Sequence, residues 1–549
     1  MRSALGIDIK MSDGTGVADF TYLANDNLET IDGPLAGDKL TYHYNALGNL
    51  IDITPEQGQV VSYKYDYDTN VADIDLGRLK SIATGTNTFT YDYDGVNPLI
   101  QKLTRPNGSY TEYQYNDPLK RLTALINKAS AGSLINSFAY TYDKDLIKTE
   151  TITNGTIIDN FLEKTTTYQP NAVNQLLSAT TQGVAKNYAY DNDGNMTTGY
   201  TPADKALTMT YDAENRMKTA QYTDGTPPNE ITHLFEYGYA GTSLLDQLVK
   251  KENGTPVSTT KYLRSGFLPV QERDGSNAIT REYTWGKNLG GGIGGLLNLK
   301  QKDTNDQWRD YSYLYDGKGN VSALIGPDQI PVATYAYDPF GMLMKNTSAT
   351  GFDQPYKFST KPYFSDMGQS DFGYRYYDAC SGKWTTMDPL GEEGGINLYR
   401  FNRNSALNYI DPTGLIPLDT IWDLGNIIYD IFTGDWESLT WDTGALLIPY
   451  IPAGVTKAAK IGKICKTGRG FDDILSNNEL FKRWLRHKHP ANEPYSPDNA
   501  KKIWGKIKES GLTPRLDPGH QRPGSQWTGP HINVEGTDIH IPVDPRFKP

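Results

Sequence analysis

The chain has 549 residues, 38 of them Tyr and 53 Gly, with 37% hydrophobic content and a mean hydropathy of −0.57. That content is low for one compact core, no apolar run reaches the length of a transmembrane helix, and two cysteines, Cys380 and Cys465, build no disulfide framework. The net charge of −12 is uneven, with −13 on residues 1–415 and +2 on residues 471–549, which describes an acidic body carrying a weakly basic tail.

Met1 to Gly16 hold no apolar h-region, so no ordinary signal peptide is visible, and export, if it occurs, is expected to use another machine or signals outside this sequence. From about residue 20 to 385 the sequence repeats loosely. Tyr42-His43-Tyr44-Asn45 is followed by Gly48-Asn49, and Tyr63-Lys64-Tyr65-Asp66, Tyr91-Asp92-Tyr93-Asp94 and Tyr113-Gln114-Tyr115-Asn116 come next. Tyr188-Ala189-Tyr190-Asp191, Tyr211-Asp212, Tyr313-Leu314-Tyr315-Asp316 and Tyr335-Ala336-Tyr337-Asp338 continue the series. Alternating Tyr places the rings on one face of a strand, and Asp with Gly-Asn makes the turn that follows. Each unit reads as a hairpin arm that stacks on its neighbours to bury that face. Structural packing accounts for the tyrosines; no clustered Trp/Asp groove favours sugar binding. Tyr283-Thr284-Trp285-Gly286-Lys287 leads into Gly290–Gly295, and without Lys-Ser/Thr after the glycines this is no phosphate loop.

Residues 386–415 hold two Asp-Pro-x-Gly-type turns, Asp388-Pro389-Leu390-Gly391 and Asp411-Pro412-Thr413-Gly414-Leu415. They bracket Gly394-Gly395-Ile396-Asn397-Leu398-Tyr399 and Asn408-Tyr409. One such turn carries no information; the bracketed pair resembles the core signature of Rhs (YD-repeat) proteins, which include the C component of Tc toxins. The resemblance implies a β-cocoon around a toxic C-terminal cargo, and an intramolecular aspartyl protease formed by Asp388 and Asp411 that cuts after Leu415. Two carboxylates in one enclosed site do not both ionise cheaply, so one keeps a proton while the other acts as base. Ser405-Ala406 departs from the family's frequent Asn-Pro. Plain Asp-Pro turns without catalysis are the alternative.

Beyond Leu415 the Tyr pattern stops. In residues 416–470, Ile421, Leu424, Ile428 and Phe432 fall at helical spacing after Asp419, and Lys457, Lys460, Lys463 and Lys466 follow. This resembles the segment that precedes the toxin in Rhs-type proteins. It reads either as an amphipathic helix packed inside the shell or as an element making transient membrane contact.

Residues 471–549 are read as a small α+β domain. Helices are expected over Phe471–His489 and from Ser496 as N-cap, with Pro497 at the first position, to Gly511. A Pro/Gly-rich loop then carries Arg515, His520, Arg522 and Trp527. The end, His531-Ile532-Asn533-Val534 to Thr537-Asp538-Ile539-His540, reads as a hairpin around Glu535-Gly536 with His531 opposite His540. Two imidazoles at that spacing suit metal-free RNA cleavage, one as base and one as acid. Arg515 or Arg522 would hold the phosphate and Trp527 would stack a base. The rivals are a zinc site of His520, His531 and His540, and histidines that merely line a polar sheet face. The tail is similar to predicted-ribonuclease tips of bacterial polymorphic toxins of the type called toxin 17.

The sequence thus predicts a mainly β chain: a YD-repeat shell over 1–385, the self-cleavage core over 386–415, a linker over 416–470 and a toxin domain over 471–549. About 400 residues of repeat is short for a closed cocoon, so a longer shell and an incomplete cage both stay open. A resident cofactor is not expected, zinc being the alternative. The implied partners are an immunity protein, an RNA substrate and a delivery apparatus that carries the chain out of the cell into a target cell. A surface adhesion or scaffold protein, and a metal-dependent nuclease tip, are the other readings.

Overall fold

The computed structural model describes residues 10–14, 16–25, 27–66, 77–95, 99–144, 146–156, 165–415, 417–419, 497–509, 512–517, 530–534, 540–543 and 548. The chain divides into two compact units, Met1–Tyr450 and Ile451–Pro549. The expectation of a mainly β chain holds, with the strands concentrated in the first unit and one helix on a small sheet described in the second.

In the first unit, thirteen antiparallel strands from Lys10–Ser12 to Leu146–Thr153 form one sheet in strict chain order. Three strands between Thr166 and Asn187 form a small sheet, and fourteen from Ala189–Tyr190 to Leu343–Ser348 form a second large one. Sequential order follows from the short turns, because a tight turn joins only neighbouring antiparallel strands.

The repeat signature encodes three linked features. First, the ladder shifts register just before the second Tyr, at His43/Tyr44, Lys64/Tyr65, Asp92/Tyr93, Thr210/Tyr211, Leu314/Tyr315 and Ala336/Tyr337. Such a bulge adds local twist. Second, the hydroxyl of that Tyr donates to the carbonyl of the first residue of the preceding strand. Tyr44 reaches Leu28 at 2.9 Å, Tyr93 reaches Leu79 at 2.6 Å, Tyr315 reaches Leu296 at 2.6 Å and Tyr337 reaches Val321 at 2.9 Å. Phe cannot make this tie, which explains 38 Tyr against 16 Phe. Third, the carboxylate or amide oxygen that follows caps the turn. Asp316 Oδ1 accepts the N–H groups of Lys318 and Asn320 at 2.8 and 3.0 Å, and Asn45 Oδ1 does the same for Leu47 and Asn49.

The tie predicts a stability effect. Tyr315→Phe leaves the buried Leu296 carbonyl without that donor and is expected to cost roughly 1–2 kcal/mol. Urea unfolding should show a lower midpoint, whereas Tyr168→Phe, on a half-exposed residue, should stay within about 0.5 kcal/mol of wild type. Equal midpoints for all three proteins would refute the tie.

The large sheets also touch side to side in matching order. Arg273 Nη2 donates to the Gly37 carbonyl at 2.7 Å, Gln271 Nε2 to Gln57 at 2.5 Å, and Asn107 Nδ2 to Gly326 at 3.1 Å. A four-stranded sheet over Tyr363–Trp384 and a two-stranded one, Tyr409–Ile410 with Leu418–Asp419, follow the second large sheet.

In the second unit, a helix over Pro497–Glu509 starts at the expected proline. Its Ala500, Ile503 and Ile507 pack on Val543 and on Ile532, Val534 and Ile541 of a three-stranded sheet, Pro514–Asp517, His531–Val534 and His540–Pro542. The helix expected over Phe471–His489 lies outside the described residues, as does the helical spacing from Ile421 to Phe432.

Candidate functional site

Asp388 and Asp411, 23 residues apart in sequence, converge on one cation, Arg375. Its Nη2 lies 2.9 Å from Asp388 Oδ2 and 3.7 Å from Asp411 Oδ2. The guanidinium stacks 4.2 Å over the Trp384 ring, within a buried aromatic cluster of Phe358, Phe372, Tyr377, Trp384 and Phe401. This wall fixes the guanidinium orientation and excludes water.

Each Asp-Pro turn is held by its own carboxylate. Asp388 Oδ1 accepts the Leu390 N–H at 2.9 Å. Asp411 Oδ1 accepts three successive N–H groups, from Thr413 at 3.2 Å, Gly414 at 2.7 Å and Leu415 at 3.1 Å. That grip requires the chain to curl at Gly414, whose φ is +79°. Arg375 then meets the same backbone: Nε donates to the Gly414 carbonyl, and Nη2 lies 3.5 Å from the Leu415 carbonyl oxygen. Leu415 is buried, and Ile416, across the expected scissile bond, lies outside the described residues.

Electrostatically, burial raises the pKa of both carboxyls, while Arg375 pulls both back down. For Asp388 the Asp411 charge adds to the rise. Hydrogen bonds from three amides also favour the ionised form of Asp411. Such a pair retains a proton at a higher pH than isolated carboxyls do, as acid–base work requires.

Sequence reasoning missed Arg375 and Lys361. Arg375 interrupts the run Phe372-Gly373-Tyr374-Arg375-Tyr376-Tyr377, and a cation in so apolar a stretch is a signal, because once buried it needs a carboxylate. Lys361 gave no such sign. Its Nζ donates to the Pro412 carbonyl at 2.5 Å and to Gly291 at 2.7 Å, so it pins the second Asp-Pro turn to the glycine run. Burial pushes its amine down to about 7, with Asp411 and Asp371 opposing the fall.

The run Gly290–Gly295 thereby acquires a use. At Gly291, φ is +54° and an added Cβ would lie 1.9 Å from the Pro412 oxygen. Gly291→Ala is therefore expected to displace the second turn and lower the thermal unfolding temperature. Gly183→Ala is the control, because Gly183 has φ +83° with nothing within 4 Å, so it carries strain alone, on the order of 1–3 kcal/mol. A Gly291→Ala loss no larger than the Gly183→Ala loss would show that the close approach to Pro412 is unimportant.

In the tail the expected hairpin register is corrected. Asn533, not His531, stands opposite His540, and His531 stands opposite Pro542. The ladder is offset by two residues, and a two-residue offset keeps every side chain on its face. The apolar face, Ile532, Val534 and Ile541, packs on the helix, and the residues that join the two strands lie outside the described residues. His531 and Asn533 therefore still alternate onto the opposite face, and Asn533 is paired with Arg515 on one side and with the backbone of His540 on the other. Arg515 is exposed, Asn533 half-buried and His531 fully buried. His520, Arg522 and Trp527 lie outside the described residues.

No protein-family model matches the chain. In sequence it is 25% identical over 451 residues to the tRNA3(Ser)-specific nuclease WapA of Bacillus spizizenii, covering 72% of this chain and 18% of that protein. It is 24% identical to the tRNA nuclease WapA of Bacillus subtilis over 442 residues, covering 71% of this chain and 17% of that one. Toxin subunit YenC2 of Yersinia entomophaga is 34% identical over 119 residues, 21% of this chain and 12% of the subunit. The chain thus spans less than a fifth of the length of these relatives. In fold it resembles a chain of the TcdB2–TccC3 crystal structure, with TM-score 0.54 and 17% identity over 75% of this chain and 24% of that one. A chain of the Photorhabdus luminescens Tc holotoxin pore gives TM-score 0.55 and 16% identity over 75% of this chain and 24% of that one. The chain is thus similar in sequence to the WapA nucleases and to a Tc toxin subunit, and three quarters of it share the fold of chains in Tc-toxin structures.

Proposed function

We propose that this chain is an Rhs-type toxin that cuts its own Leu415–Ile416 bond and thereby frees residues 416–549 as a nuclease cargo. The observation that carries the reading is the meeting of Asp388, Asp411 and Arg375 at the Gly414–Leu415 backbone. One carboxylate of the pair takes a proton from water as it adds to the Leu415 carbonyl. The protonated partner gives its proton to the Ile416 nitrogen as the C–N bond breaks. Arg375, beside the Leu415 oxygen, stabilises the negative charge that develops there, and the Asp411 grip on the 413–415 amides keeps the bond in place.

The nuclease part rests on the named activity of the WapA relatives and on the strand register that pairs Arg515 and His540 with Asn533, two residues from His531. RNA is the proposed substrate, with His531, His540 and His520 as the acid–base set, Arg515 and Arg522 on phosphate and Trp527 on a base. The tip is assigned to the toxin 17 type, delivered by an export apparatus and neutralised by an immunity protein. Full burial of His531 favours a second reading, in which that ring supports the sheet and the chemistry falls to other residues.

The test is to express residues 416–549 in a bacterium and follow growth and RNA integrity. Growth arrest with RNA fragmentation supports the reading; unimpaired growth at full expression of a folded product refutes the cargo assignment.

A further inference from the structure

Where the two large sheets meet, a row of buried polar side chains crosses successive strands of the first. Arg105 Nη2 donates to Thr111 Oγ1 at 2.7 Å and to the Tyr313 carbonyl, on the second sheet, at 3.2 Å. Thr111 Oγ1 donates to Asn127 Oδ1 at 2.6 Å, and Asn127 Nδ2 to Asn136 Oδ1 at 2.7 Å. Asn136 Nδ2 closes the row on Ser322 Oγ at 3.3 Å, again across the sheets. Arg105, Thr111, Asn127 and Asn136 are each at most 4% exposed, and Ser322 is 8% exposed.

Every donor in the row points away from Arg105, so the oxygen ends face the guanidinium and their dipoles favour its charge. Dipoles are all it receives. No carboxylate among the described residues pairs with Arg105; the titratable groups nearest to it in effect are Tyr113, Tyr315 and Tyr91. Those are phenols that burial keeps protonated and neutral. Burial lowers the guanidinium only to about 10, so it is a cation at neutral pH. Its Nη1, shielded from solvent, has no acceptor among the described residues.

A buried charge without a counter-charge costs far more than an unmet hydrogen bond. A water molecule would accept from Nη1 and leave the charge unbalanced; a monovalent anion does both. Thr111, which accepts from the same guanidinium, is 2% exposed, and at so buried a donor a single-atom anion demands the least room. We infer that Arg105 Nη1 is the donor of a structural binding site for a single halide-sized anion, held where the two large sheets meet.

The experiment uses the full chain, prepared and crystallised in sodium bromide, with diffraction at the bromine edge. An anomalous peak beside Arg105 Nη1 is the expected result. In parallel, unfolding temperature is compared in sodium chloride and sodium gluconate at equal ionic strength. Wild type should be more stable in chloride, with a dependence on its concentration that saturates as one site fills. Arg105→Met should lose that dependence, and Arg105→Lys, which keeps the charge if the Met variant fails to fold, should retain part of it. No peak, with equal wild-type unfolding temperatures in the two salts, would overturn the inference and leave an ordered water as the Nη1 partner. A peak decides occupancy even where the stability change is small.

Discussion

Asp411→Asn and Asp388→Asn are each expected to leave the purified chain at full length on a denaturing gel, under conditions where wild type yields a fragment beginning at Ile416. Losing a general acid or base costs on the order of 10²- to 10⁴-fold in rate, enough to turn complete cutting into none over a day. Asn is the informative replacement at both sites. At position 411 it keeps an oxygen able to accept the Thr413, Gly414 and Leu415 amides, so the turn survives while the titratable group goes. Arg375→Lys separates charge from shape: a lysine keeps the cation and loses the fork that spans Asp388 and the Gly414 and Leu415 carbonyls. It should slow cutting, with less effect than either Asp change. Since burial raises both carboxyl pKa values, the acid limb of the pH–rate profile should lie above that of an ordinary carboxylate. A wild-type chain that never releases the Ile416 fragment under native conditions would end the protease reading, as would an Asp411→Asn chain that releases it at the wild-type rate.

Much of this was legible before any coordinates, for local reasons. A Tyr-x-Tyr-Asp unit states its own strand, face and turn, because period-two alternation and an Asp-capped turn both act within a few residues. The bulge and the hydroxyl tie to the preceding strand were not legible. They depend on a partner 14 to 19 residues upstream, as in Tyr93 to Leu79 and Tyr315 to Leu296, and alternation alone is silent about it. The same distinction runs through the site. Asp388 and Asp411 announced themselves through repeated turn chemistry, whereas Arg375 and Lys361 are brought in by sheet packing and by the Gly291 approach to Pro412. In the tail, alternation put Ile532 and Val534 on the apolar face that packs on the helix, while the register rested on a guess about the loop position and comes out two residues away.

That corrected register sharpens what the tail should do. If the proposed ribonuclease is right, RNA incubated with residues 416–549 and EDTA should accumulate 2′,3′-cyclic phosphate ends. His531→Ala and His540→Ala should each lower the rate on the order of 10²-fold or more. Because His531 is fully buried, the same variants are read by circular dichroism. A His531→Ala tail that loses its fold assigns the ring to structure; one that keeps its fold and loses activity assigns it to chemistry. A single-residue insertion directly after His531 gives a second, independent reading. It leaves Ile532, Val534 and Ile541 on the helix and Asn533 opposite His540, and turns only His531 to the other face. Acid–base chemistry shared by His531 and His540 cannot survive that change, whereas a sheet held by its apolar face tolerates it. Activity lost with EDTA and restored by zinc would move the assignment to His520, His531 and His540 as ligands. Cleavage of DNA with RNA left intact would refute the ribonuclease altogether.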